Sequence, residues 1–77
     1  MYYVYAIKSC LKNYIYVGLT NNPELRIRQH NEKKEKTTRL FTPFSVIFLR
    51  QCPTRTKARE LEKYLKSGVG KAFLKTL

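Results

Sequence analysis

The sequence predicts a small α+β domain of element order ββαβαα, in which a three-stranded antiparallel sheet carries about three helices. Three observations lead there. Two segments rich in Tyr, Val and Ile near the start suit a pleated surface. Asn22-Pro23 followed by Glu24 marks a helix start directly behind them. A further apolar run, Phe44–Leu49, precedes a segment of helical periodicity. At 77 residues the chain is too short for a doubly wound sheet, a barrel or a repeat array. Residues 1–77 are read as one domain with a thin core.

The first two strands are expected over residues 2–8 and 14–19, with the polar stretch Ser9–Asn13 between them as a hairpin turn. Alternation puts Tyr3, Tyr5 and Ile7 on one face of the first strand, and Tyr14, Tyr16 and Gly18 on one face of the second. A register that pairs residue 5 near residue 16 lays both tyrosine rows on the same side of the sheet. The first helix starts with Asn21 or Asn22 as cap and Pro23 in the first turn, and runs to residue 31 or 32. Leu25 and Ile27 are its only large apolar residues, so it lies on the surface. Residues 31–43 are charged and then turn-like. The run Phe44–Leu49 reads as a strand buried on both faces, hence the centre of the sheet, and Pro53 ends it. The next helix takes Thr54 or Thr56 as cap, and its stripe is Ala58, Leu61 and Leu65. Ser67-Gly68 stops it, and a last amphipathic piece covers Lys71–Leu77.

Charge narrows the partners. Lys and Arg number 16 against 5 acidic residues, all of them Glu, for a net charge of +11. Such a surplus on so small a body calls for a polyanion, DNA first and structured RNA as the alternative. No apolar run approaches the roughly 20 residues that span a bilayer, so no membrane partner is expected. Met1–Lys8 lacks a basic leader region and reads as a strand, which favours the cytoplasm. Cys10 and Cys52 are too few for a disulfide framework and, with the single His30, make at most an incomplete zinc site. Both are read as reduced thiols. A monomer is expected.

Few residues can carry chemistry. Glu62 falls on the inward stripe of the second helix, where a carboxylate needs a cation or a basic partner. Spacing leaves both readings open. His30 is either the acid–base group or incidental, and Arg26, four residues earlier, shares its helix face. A guanidinium there could clamp a phosphate or simply be solvated. Tyr3, Tyr5, Tyr14 and Tyr16 are either a sheet face with satisfied hydroxyls or a source of one base or water-orienting phenol. A phenol titrates near 10, so a base role needs cations to lower it. With so few carboxylates the chain cannot build a two-metal centre, whereas one Mg²⁺ on a single Glu, completed by water and phosphate, is feasible.

Taken in order, these residues resemble a known family. Tyr3-Val4-Tyr5 and Tyr16-Val17-Gly18 resemble the paired signature of the GIY-YIG nuclease superfamily. The stretch from Gly18 and Thr20 through Arg26 to His30 is similar to that family's G-x-T-x-x-x-x-x-R-x-x-x-H pattern, and Ala58–Gly68 to the segment bearing its metal-binding glutamate. Thr37-Thr38, Pro43-Phe44 and Gly68-Val69-Gly70 match short, single-domain bacterial members. The similarity covers essentially the whole chain. Two departures stand out: Tyr3 replaces the first motif's Gly, and no Asn follows Asn31.

The resemblance implies a metal-dependent phosphodiesterase acting on DNA with low sequence specificity. Tyr5 and Tyr16 would flank the scissile phosphate and orient or deprotonate the attacking water. Arg26 would stabilise the transition state's charge, His30 would assist proton transfer, and Glu62 would hold one Mg²⁺ or Mn²⁺. Gly18 would let substrate approach the backbone. Thr20, Arg28, Lys33, Lys34, Arg39, Lys63 and Lys66 are the expected substrate contacts, mostly to phosphate. The alternative from another class is a non-catalytic nucleic-acid-binding module on the same scaffold.

Overall fold

The computed structural model describes residues 1–77. Strand β1 (Tyr2–Ser9) lies in the middle of an antiparallel sheet of order β2-β1-β3, between β2 (Ile15–Thr20) and β3 (Phe44–Cys52). Helix α1 (Pro23–Asn31) follows β2, a 3-10 turn over Arg39–Phe41 precedes β3, and α2 (Arg55–Lys66) and α3 (Gly68–Leu74) close the chain. The predicted α+β class and order ββαβαα are what the structure shows.

Alternation along β1 sorts the core into two layers. Val4 and Ala6 face α2 and α3, packing with Val17, Cys52, Ala58, Leu65 and Leu74. Tyr5 and Ile7 face the opposite way, toward α1, and join Phe44, Tyr14, Tyr16, Ile27 and Phe41. The register pairs Tyr5 with Gly18 and Ile7 with Tyr16. It is slipped by two residues from the expected pairing, and a slip of two preserves the face. Both tyrosines therefore do share one side.

The centre of the sheet is a correction. Phe44–Leu49 was expected there, but β3 is an edge strand, and Val46 and Leu49 are 47% and 52% exposed. The apolar run has another cause. Between Ala6 and Ile7 the register with β3 shifts by one, leaving Ile47 as the extra residue of a bulge. A one-residue shift exchanges faces, so Phe44 and Val46 come onto the same side as Leu49 while Phe48 faces the other layer. Continuous hydrophobicity here serves a face switch, not burial on both sides.

Caps settle the helix ends. Asn22 Oδ1 accepts from Leu25 N at 3.2 Å, and Thr54 Oγ1 accepts from Lys57 N at 3.2 Å. The last helix starts three residues earlier than expected, because Ser67 both ends α2 and caps α3, its Oγ accepting from Gly70 N at 3.2 Å. Gly70 carries no Cβ because one would overlap the backbone of Tyr64 and Leu65, against which α3 docks.

Candidate active site

Tyr5, Tyr16, Arg26 and His30 meet on the α1 side of the sheet. The sequence produces this locally. Tyr5 and Tyr16 project from neighbouring strands, and α1 lays Arg26 and His30, one turn apart, over them. The Tyr5 and Tyr16 rings are 6.3 Å apart, and His30 is 5.8 Å from Tyr5 and 4.8 Å from Tyr16, centroid to centroid. His30 is fully buried, with its Nε2 2.9 Å from the Tyr5 hydroxyl and its Nδ1 2.7 Å from Thr38 Oγ1. Every polar atom of that ring is thereby satisfied.

Burial changes the parts these residues can play. Tyr5 is 1% exposed and His30 is 0% exposed. Both lie beneath Tyr16 and Arg26, the less buried members of the cluster. Burial, with Tyr16 adding to it, pushes the Tyr5 hydroxyl up to about 12 against the opposing pull of Arg26. Tyr5 stays protonated at neutral pH, and the cationic lowering that a base role requires does not prevail. Burial and the nearby Arg26 also lower His30, leaving a neutral imidazole. Tyr16 and Arg26 are half-buried and form the accessible edge of the cluster.

Gly18 also acquires a different reason. A Cβ at this position would overlap the ring and hydroxyl of Tyr5, its cross-strand partner. The glycine makes room for the tyrosine. Tyr14 stands just before β2 and stacks on Phe41 at 4.0 Å, away from the cluster, and burial raises its pKa.

Arg26 is held by two acceptors. Its Nη2 donates to Glu35 Oε2 at 2.7 Å and its Nη1 to Gln29 Oε1 at 3.3 Å. The pairing raises the Arg26 pKa and lowers that of Glu35. Glu35 and Thr38 therefore both serve this site, and sequence reasoning passed over both. They reach it from a turn inside the charged run 31–43, where no periodicity marks a side chain as inward. The one hint was the Thr37-Thr38 pair, uncharged in a basic stretch.

Glu62 is not joined to this cluster by any hydrogen bond or ion pair. It sits on α2, which packs against the other face of the sheet, and its partner is Lys66 at 3.2 Å. Its side chain is 15% exposed, as the inward stripe predicted, and the lysine that neutralises it is 54% exposed. No three His, Cys or acidic side chains gather anywhere to hold a metal. A single carboxylate oxygen donor still fits a hard divalent ion that takes its other ligands from water and phosphate, since an exposed lysine can swing away.

The expected substrate contacts are scattered. Arg28, Lys33, Lys34, Arg39, Lys63 and Lys66 are all exposed. Lys34 pairs with Glu32 at 3.4 Å, Thr20 Oγ1 accepts from Asn22 N at 3.1 Å, and Lys33 sits in the left-handed turn after α1. Arg28 lines a shallow depression of about 240 Å³ with Asn22, Glu24 and Leu25. Lys63 lines another of about 320 Å³ with Arg55, Thr56, Arg59 and Glu60. Neither depression includes Tyr16 or Arg26. No helix is long and apolar enough to cross a membrane.

Comparison with known proteins agrees with the motif pattern. Residues 1–75 match the family described as the GIY-YIG catalytic domain. UPF0213 protein YazA of Bacillus subtilis (strain 168) is 33% identical over 66 residues, covering 84% of this chain and 66% of that protein. A UPF0213 protein of Bacillus licheniformis is 35% identical over 66 residues, covering 84% of this chain and 67% of its own length. The match thus spans about two thirds of the relatives' length. No solved structure matches. Two tyrosines, an arginine and a histidine brought together from the signature positions, with a family match over nearly every residue, place this chain in the GIY-YIG family of nuclease-type catalytic domains.

Proposed function

We propose that the protein is a divalent-cation-dependent endonuclease that hydrolyses DNA phosphodiester bonds with low sequence specificity, directed by substrate structure. The observation that carries this reading is the pairing of a half-exposed Tyr16 and Arg26 over a sealed Tyr5–His30 pair. Such a site offers a phenol and a guanidinium to an incoming phosphate, backed by groups that cannot drift. Arg26 meets the developing negative charge, Tyr16 orients the attacking water, and Tyr5 and His30 fix both from behind. Glu62 is the residue to hold Mg²⁺ or Mn²⁺, and a bound ion would supply further neutralisation at the phosphate. Glu62 lies on α2, which packs against β1 and β2 on the opposite face of the sheet from Arg26.

Incubation with labelled branched, nicked and single-stranded DNA, with and without Mg²⁺ or Mn²⁺, tests the reading. Cleavage is expected only with metal, and Arg26→Ala is expected to lower its rate by about 10²–10³-fold, as loss of a transition-state donor does. No cleavage above that of an Arg26→Ala, Glu62→Ala double variant on any substrate rejects the enzyme. The second reading, a non-catalytic nucleic-acid-binding module, is favoured by the separation of Glu62 from the cluster. Salt-sensitive DNA binding that Glu62→Ala leaves unchanged, without cleavage, would support it.

A further inference from the structure

Helix α2 breaks a charge rule that α1 obeys. In α1, Glu24 stands in the first turn and Arg28 and His30 in the last, each sign at the end of the helix dipole that favours it. The first turn of α2 holds no acid and carries Arg55 and Lys57 against the positive end. Arg55 is followed by Arg59, Lys63 and Lys66, at steps of four, four and three, which stack along one side of a helix. All four fall within roughly 80° of the circumference and run about 17 Å along the axis. Like charges at these steps repel. Arg55, Arg59 and Lys63 have no ion-pair partner, and only Lys66 has one, Glu62 at 3.2 Å. The four are exposed, and α2 packs through Ala58, Leu61 and Leu65 instead. The row therefore works against the helix and adds nothing to the core.

We infer that this row is a DNA-binding surface, taken by the phosphates of a duplex and separate from the Tyr16–Arg26 site. Separation follows from the layers: α2 packs with Val4 and Ala6, whereas Tyr16 lies with Tyr5 and Ile7 on the other face of the sheet. Two features name the occupant. Cations that repel one another are relieved by a regular row of negative charge, which each strand of a duplex supplies about every 3.4 Å along its axis. Arg55, Arg59 and Lys63 also line one shallow depression with Thr56 and Glu60, three cations to one carboxylate. The row, moreover, contains no aromatic ring. Tyr64, the only aromatic residue of α2, lies about 100° or more round the helix from every one of the four. Single strands bind where bases stack on aromatics set among cations, and a duplex offers its phosphates without that need.

The row takes from the proposed function only its DNA partner and not cleavage, so binding and cleavage are measured separately. Fluorescence anisotropy of a short labelled duplex over a salt series compares two double variants of equal charge. Arg55→Gln, Arg59→Gln neutralises the row, and Lys57→Gln, Lys75→Gln neutralises two exposed lysines off it. The row variant is expected to lose about 1.8 from the slope of log K against log salt, about 0.9 for each contact, and the other variant next to nothing. Equal slopes in the two variants, or a wild-type slope in the row variant, overturn the inference. So does a row variant that loses more affinity for single-stranded DNA than for the duplex. Arg55→Glu is expected to raise the melting temperature by about 2–5 °C, because it suits the dipole and turns repulsion with Arg59 into attraction. That rise separates lost binding from a lost fold. A lower melting temperature would show that Arg55 serves the helix itself, and overturns the assignment. A protein that binds duplex through the row but cleaves no substrate rejects the nuclease reading and leaves the surface standing. One that cleaves, with a row variant binding as the wild type does, keeps the nuclease reading and loses the surface.

Discussion

On the proposed function Arg26 has two anionic claimants, the carboxylate of Glu35 and the phosphate of a substrate. Both accept from the in-plane N–H groups of the guanidinium, and Glu35 already holds Nη2 at 2.7 Å. The pair is about a third exposed on each side, 32% and 28%, so solvent screens it and the phosphate can compete. Glu35 is therefore a local counter-charge that, on the proposed function, would weaken phosphate binding while keeping Arg26 extended over the cluster. Glu35→Gln keeps an acceptor for Nη2 but removes the negative charge. It is expected to tighten DNA binding by about two- to five-fold, in line with the modest worth of an exposed ion pair. Fluorescence anisotropy at fixed salt measures this. Weaker binding by Glu35→Gln would show instead that the carboxylate's main service is to aim the arginine.

Turns and edges were less legible than strands and helices, and the reasons are physical. The first two strands, α1 and α2 could be read because side-chain alternation, Pro23 and the stripe Ala58–Leu61–Leu65 are local signals. The edge position of β3 could not, since a bulge at Ile47 mimics the pattern of a doubly buried strand. In the candidate site, Tyr5, Tyr16, Arg26 and His30 could be named from spacing and motif, but not their depth. Nothing in the sequence says that Tyr5 fills the space over Gly18, or that Thr38 closes over His30. The end of α1 shows how a turn hides its logic. Lys34 N donates to Gln29 O at 3.0 Å and Lys33 N to His30 O at 3.1 Å, the paired bonds of a Schellman motif. Its left-handed position is Lys33, φ 63°, where glycine is the usual occupant. Lys33→Gly is expected to stabilise the fold by about 0.5–1 kcal/mol, since relief of the left-handed strain exceeds the added entropy of the unfolded chain. Urea unfolding should show a higher midpoint with an unchanged slope. A lower midpoint would mean that the Lys33 side chain contributes more than its backbone costs.

At the scale of the whole molecule the net charge sets two responses of opposite sign to the same variable. A charge of +11 is confined to a body with extents of 31 × 26 × 18 Å. At 10 mM salt the screening length, about 30 Å, exceeds most of that body, so every cation feels most of the others. At 150 mM it falls to about 8 Å, and repulsion shrinks to near neighbours. The three ion pairs, Arg26–Glu35, Lys34–Glu32 and Lys66–Glu62, weaken with salt too, but they are few and exposed on at least one side. Self-repulsion therefore dominates, and raising salt from 10 to 150 mM is expected to raise the melting temperature of the free protein. DNA binding must move the other way, because each phosphate neutralised releases a counterion, and log K falls with log salt by about 0.9 per contact. Arg26→Ala should flatten that slope by about one contact, with the exposed lysines carrying the remainder. Thermal melts and binding isotherms over one salt series measure both effects on the same preparation. A melting temperature that falls with salt would show that the ion pairs outweigh the net charge. A slope unchanged in Arg26→Ala would mean that Arg26 stays on Glu35 and never meets the phosphate.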